Sequence, residues 1–156
     1  MTPLSRPIAA LLGAALTGMA LGAHAQECVG TAGTARLLII VERVDSARGL
    51  MTASLYPNDK SQFLVKRGAL KVWSEPAAAP TTRMCIWLKG PGTYALAVYH
   101  DANANHRFDV GLFGPTEAYG FSNNPRIAFS KPSLQSVAFE AKEGDTTVRV
   151  RLNRPG

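Results

Sequence analysis

The sequence predicts an all-β protein, a single sandwich of about seven short strands with one long ordered loop. Three observations carry this. Apolar residues recur at alternate positions in short runs: in Thr146 to Leu152, Val148, Val150 and Leu152 alternate with Arg149 and Arg151, which describes one buried and one wet face. The runs are bounded by turn residues, as at Pro57-Asn58-Asp59 and Lys89-Gly90-Pro91-Gly92. No convincing amphipathic helix follows the N-terminal segment.

In chain order, Arg36 to Val44 is the first strand, and after a polar turn at Asp45 to Gly49 the alternating run Leu50 to Tyr56 reads as its neighbour. Phe63, Leu64 and Val65 form a short helical turn or a core plug. Leu70, Val72 and Trp73 mark the third strand, closed by Glu75 to Pro80, where prolines exclude a ladder. Arg83 to Leu88 is the fourth, with Met84, Ile86 and Leu88 on one face and Cys85 and Trp87 on the other. Tyr94 to His100 is the fifth, with Leu96 and Val98 opposite Ala95, Ala97 and Tyr99. Leu88, the Pro-Gly pair and Tyr94 resemble the tyrosine corner of Greek-key sandwiches, in which a Tyr hydroxyl bonds back to upstream backbone, with a spacing one residue longer than usual. Val110 to Pro132, rich in Gly, Pro, Asn and Ser, is the long loop. Ser136 to Ala141 and Thr146 to Leu152 close the chain around Glu143-Gly144-Asp145. The expected topology is immunoglobulin-like or prealbumin-like.

Arg6, the apolar run Ile8 to Gly22 and Ala23-His24-Ala25 have the three parts of a secretory signal peptide, which sets residues 1–25 apart as a cleaved leader. Ala25-Gln26-Glu27 before Cys28 does not fit a lipoprotein site. Residues 26–35 then read as a flexible arm and 36–156 as the domain, periplasmic or secreted, with no membrane span after cleavage. The 156-residue chain carries a formal net charge of +6. Its basic residues are scattered, with Lys66-Arg67 the only adjacent pair, so they describe a solvated face and leave nucleic acid out as a partner. Cys28 and Cys85, in an exported chain, favour a disulfide over two buried thiols, and no C-x-x-C pair suggests redox chemistry.

Chemistry is written most clearly in His100 to Asp109 (HDANANHRFD). Calcium takes six to eight oxygen ligands, and its loops place oxygens at positions 1, 3, 5 and 9 with a backbone carbonyl at 7. Those positions fall on Asp101, Asn103, Asn105, Asp109 and the Arg107 carbonyl, and Phe108 between them is an apolar anchor for the core. Position 6 is His106 where a turn glycine is usual, and position 12 is Leu112, so Glu117 is the candidate for the missing carboxylate. Histidine enters the left-handed region more readily than most residues, which keeps the site open to calcium. The competing reading is that Asp101, Asn103 and Asn105 satisfy their own backbone in successive Asx turns.

Tyr119, Phe121, Ser122, Asn123 and Asn124 form a candidate ligand-contact loop, or cap loop backbone and pack over the Asp/Asn stretch. No catalytic residue is assigned. There is no G-x-S-x-G elbow, and the spacing of His100, His106 and Asp109 is unlike zinc ligand patterns.

The residues Gly92-Thr93-Tyr94-Ala95, His100-Asp101 with Asn103, Asn105 and Asp109, Gly114-Pro115 with Glu117, and Tyr119 to Asn124 resemble a family of exported bacterial proteins known as domain of unknown function 2141. The resemblance runs from Leu88 to Leu152 and departs from the family pattern at His106, where an Asn-Gly pair is preferred. It implies a secreted or periplasmic sandwich-like domain with no assigned activity. The expected role is a binding or structural module of the cell envelope that meets an unidentified envelope or extracellular ligand. The alternative is a hydrolase of envelope polymers using Asp101, Asp109 or Glu117 with His100.

Overall fold

The computed structural model describes residues 27–127 and 131–154, so the expected leader lies outside the described residues. The elements run β1 (Ala35–Glu42), β2 (Leu50–Pro57), β3 (Lys71–Pro76), β4 (Thr81–Trp87), β5 (Gly92–Asp101), β6 (Val110–Gly111), β7 (Gly114–Pro115), β8 (Tyr119–Phe121), a single helical turn α1 (Leu134–Val137), β9 (Phe139–Ala141) and β10 (Gly144–Arg151). All seven expected strand regions carry strand. The three short strands β6 to β8 come out of the long loop.

One sheet has the order β10-β1-β4, with β10 parallel and β4 antiparallel to β1. The other has the order β3-β2-β5-β8, and β9 pairs with β5 beyond β8, alongside its first residues. Strict alternation in β1 puts Ala35, Leu37, Ile39 and Val41 into the core between the sheets. Met84 and Ile86 of β4, Val148 and Val150 of β10, and Leu96 and Val98 of β5 meet them there. Tyr94 Oη donates to the Gly90 carbonyl at 2.8 Å and so locks the turn into β5.

Two neighbour relations differ from the expectation. β1 and β2 sit in different sheets, because residues 43–49, with Arg43 and Gly49 at positive φ, carry the chain across the sandwich rather than folding it back as a hairpin. The closing strands are likewise separated: residues 134–137 form α1, β9 joins β5, and β10 crosses to β1. Ser133 caps α1 by accepting the Ser136 N–H, which draws these residues out of the extended state.

The outer face of β5 is covered as well. Ala95, Tyr56, Phe121, Leu134 and Val137 form a second core, with Phe63 and Leu64 packed against it, so that segment does plug a core, though a secondary one. The small alanines of β5 permit this close cover. Cys28 and Cys85 lie at disulfide distance, with Cα atoms 4.7 Å apart. Val29 bonds along β4, donating to Cys85 O and accepting from Trp87 N, so this part of the N-terminal arm follows the edge of the sheet.

Candidate functional site

The Asp/Asn loop begins where β5 ends. Asp101 is fully buried, and its two carboxylate oxygens accept the backbone N–H groups of Asn105 at 3.0 Å and His106 at 2.8 Å. Such caps shape the loop around the side chain. Ala104 and His106 both adopt positive φ, 56° and 60°, so His106 takes the backbone conformation that a glycine would supply.

Asn103 Oδ1 accepts the Asn105 N–H at 3.1 Å, and Asn105 Oδ1 accepts the Arg107 N–H at 2.8 Å. These are the successive Asx turns of the competing reading. The amide nitrogens of Asn103 and Asn105 both donate to Asp109 Oδ2, at 3.0 and 2.8 Å. Asp109 in turn ties the loop to residues 116 and 117. Its N–H donates to Glu117 Oε2 at 3.1 Å, and its carbonyl accepts from Thr116 N at 3.0 Å and Thr116 Oγ1 at 3.2 Å.

Glu117 is therefore brought back beside Asp109, as expected, and it is 8% exposed. Its other oxygen, Oε1, is buried with no hydrogen-bond partner among the described residues. Burial pushes the Glu117 carboxyl above its ordinary value, the carboxylates of Asp109 and Asp101 push it further, and the Asp109 N–H and His100 oppose them. The six candidate ligands thus share one loop and its lid: Asp101 and Glu117 buried, Asp109 half-buried, and Asn103, Asn105 and Arg107 exposed. Among the described residues no group of three or more His, Cys, Asp or Glu is arranged to hold a metal. An ion at this loop would depend on asparagine and carbonyl oxygens as much as on carboxylates.

His100 is buried, its Nε2 donating to the Arg48 carbonyl at 2.8 Å and its backbone N–H to Ala118 O at 2.8 Å. Both bonds fasten the loop's entry. Beside them Gly49 (φ 69°) leads into β2, whose first residue pairs with Asp101, and an added Cβ on the glycine would lie 2.1 Å from Asp101 O. Neither Arg48 nor Gly49 stands out in the sequence; the only signal is a glycine closing a polar turn.

Phe108 does not anchor the loop in the main core. Its ring lies between Tyr99 and Tyr119, with centroids 5.3 and 5.6 Å away, and remains 40% exposed. The register of β5 and β8 places Tyr99 opposite Tyr119 on the outer face, and this leaves a slot for one more ring. The ring contacts continue through Phe121 and Phe63 to Tyr56.

In the candidate ligand-contact loop, Ser122 is fully buried, donating to Val137 O and accepting from Leu96 N at 3.0 Å. Asn123 Nδ2 donates to Ala138 O at 2.6 Å. Asn124 clasps β10, donating to Arg149 O at 3.0 Å and accepting from Arg151 N at 2.6 Å. Both asparagines adopt positive φ. The polar groups of this loop brace α1, β5 and β10, and Tyr119 and Phe121 contribute their rings to the outer cover.

An open depression lies on the outer face of the first sheet, lined by Arg36, Leu38, Ile40, Arg83 and Arg149 among others. None of the carboxylates discussed above borders it.

Fold and site together define a small β-sandwich in which the connection from β5 to β6 is organised by one Asp/Asn loop and a carboxylate laid over it. A profile of the DUF2141 family, described as an uncharacterized protein conserved in bacteria, matches residues 39–149, and the chain belongs to that family. Searches of curated proteins and of solved structures gave no match.

Proposed function

We propose that this chain is an exported binding or structural module of the cell envelope, with its 101–109 loop braced by a weakly held calcium ion. The observation that carries the ion is Glu117 Oε1, a carboxylate oxygen buried beside Asp109 without a partner among the described residues. A buried unpartnered anion is costly, and a cation is the ligand that removes the cost. Asp101, Asn103, Asn105, Asp109, Glu117 and the Arg107 carbonyl would hold it, an oxygen-only set of the kind calcium takes. The ion must displace the two amide N–H donors now on Asp109 Oδ2, which keeps affinity low. The leader-like residues 1–25 and the cysteine pair support an exported address.

The same burial supports a module over a hydrolase of envelope polymers. A general acid or base must reach its substrate, whereas Asp101, Glu117 and His100 are closed off by the loop and by β2.

Thermal unfolding with calcium and with chelator tests the ion. For a dissociation constant of about 10⁻⁴ to 10⁻³ M, calcium at about 1 mM stabilises by about 0.4–1.4 kcal/mol, a rise in Tm of roughly 2–6 °C. An unchanged Tm removes the metal from the proposal.

A further inference from the structure

The hairpin of β6 and β7 has Gly111 paired with Gly114 and turns through Leu112 and Phe113 alone. Two-residue turns ordinarily carry Asn, Asp or Gly, which fit the backbone angles and face water comfortably. Here the tip holds two large apolar side chains, 91% and 99% exposed. Val110 and Phe108, 63% and 40% exposed, extend the apolar surface toward the loop. The tip contributes to neither core cluster.

We propose that this tip docks on the surface of an anionic phospholipid bilayer, with Leu112 and Phe113 entering the headgroup region. Size argues for a lipid surface over a protein. Two side chains at the tip, with Val110 and the partly covered Phe108 beside them, offer far less than the roughly 800 Å² per partner of a stable protein interface. A bilayer needs no complementary pocket and takes up projecting apolar groups of this kind, provided the surrounding charge is favourable. The chain supplies that charge overall, with a net +6 over the full sequence and 6 − 1 = +5 without Arg6 of the expected leader, and Arg107 is exposed one residue from Phe108.

The local exception is the carboxylate group of Asp101, Asp109 and Glu117 at the root of the hairpin, which repels anionic headgroups. The hairpin is fastened to it through the Thr116 bonds to Asp109 O. A divalent cation in the loop neutralises this charge and stiffens the root at once, so docking strengthens with calcium. This calcium dependence rests on the reading of the loop given above; the apolar tip does not.

The test is flotation of protein beginning at Gln26, which keeps both core clusters, with vesicles of phosphatidylcholine alone or mixed equally with phosphatidylglycerol, in calcium or in chelator. The expected result is flotation with the anionic vesicles in calcium. It should fall about tenfold in the double variant Leu112→Ser/Phe113→Ser, which keeps the wild-type Tm and its rise with calcium. If the wild type stays unbound while its Tm still rises with calcium, membrane docking is overturned and the metal reading stands. If tip-dependent flotation is the same in chelator and Tm ignores calcium, docking stands and the metal reading falls. A double variant that floats like the wild type overturns the tip as the docking point. Tip-dependent self-association without flotation overturns it in favour of a second copy of the chain.

Discussion

Glu117 is held to Asp109 by a single bond, the Asp109 N–H donating to Glu117 Oε2 at 3.1 Å, while the second oxygen of the same carboxylate is buried with no donor among the described residues. The loop is therefore satisfied along its own backbone and uncompensated at its lid.

The pH dependence arises from that asymmetry. Glu117 has a carboxyl raised above the ordinary value of 4.5, chiefly by burial. Between the ordinary and the raised value the folded state binds more protons than the unfolded one, so stability falls as pH rises through that window. Glu117→Gln should remove this loss. In chelator, Tm of the variant should match the wild type at acid pH, exceed it by a few degrees at neutral pH, and show no calcium increment. Equal wild-type and variant pH profiles of Tm would place the charge in water.

Gly49→Ala strikes the loop from the opposite side. The glycine is at φ 69°, and a Cβ there would meet Asp101 O at 2.1 Å. The substitution should cost about 2 kcal/mol or more, measured by urea unfolding, through strain and loss of the β2–β5 approach. A neutral result would mean that residues 48–50 relax away from Asp101 freely.

Ser122→Ala removes a hydroxyl between Leu96 N and Val137 O, both buried around it. Leaving these groups unpaired should cost about 1–3 kcal/mol, with an unchanged urea m-value. A loss below a few tenths of a kcal/mol would mean that water replaces the hydroxyl.

Reduction of the cysteine pair is the fourth test. Cys28 and Cys85 are 57 residues apart in sequence, so a bond between them should stabilise by about 4 kcal/mol on chain-entropy grounds. Thiol reductant should lower the urea midpoint accordingly, and Cys28→Ser should make the protein indifferent to reductant.

The strands were legible because their causes are local. In β10, Val148, Val150 and Leu152 alternate with Arg149 and Arg151, so the period of two announces the buried face, while Leu37 to Val41 is an unbroken apolar run that reads as a strand by its length and composition. The Asp/Asn spacing was legible for the same reason, down to the left-handed His106. What stayed hidden was pairing. Nothing in Arg36 to Val44 says that its partners are β4 and β10 rather than the next strand, because sheet choice is set by how connections such as residues 43–49 cross the sandwich. Phe108 misled because an apolar residue in a polar loop reads as a core anchor. Its actual partners, Tyr99 and Tyr119, become adjacent only through the β5–β8 register. Arg48 and Gly49 act through backbone atoms, which leave almost no trace in side-chain pattern.

The parallel pairing of β1 with β10, Ala35 opposite Gly144, bears on when this protein acquires its shape. The central strand of the first sheet waits for a partner more than a hundred residues downstream. Closing so long a chain segment delays the step that completes the core. A ribosome must make residues 144–151 before that partner exists. Until then β1 has one bare flank, and loss of residues 144–151 would leave it so permanently.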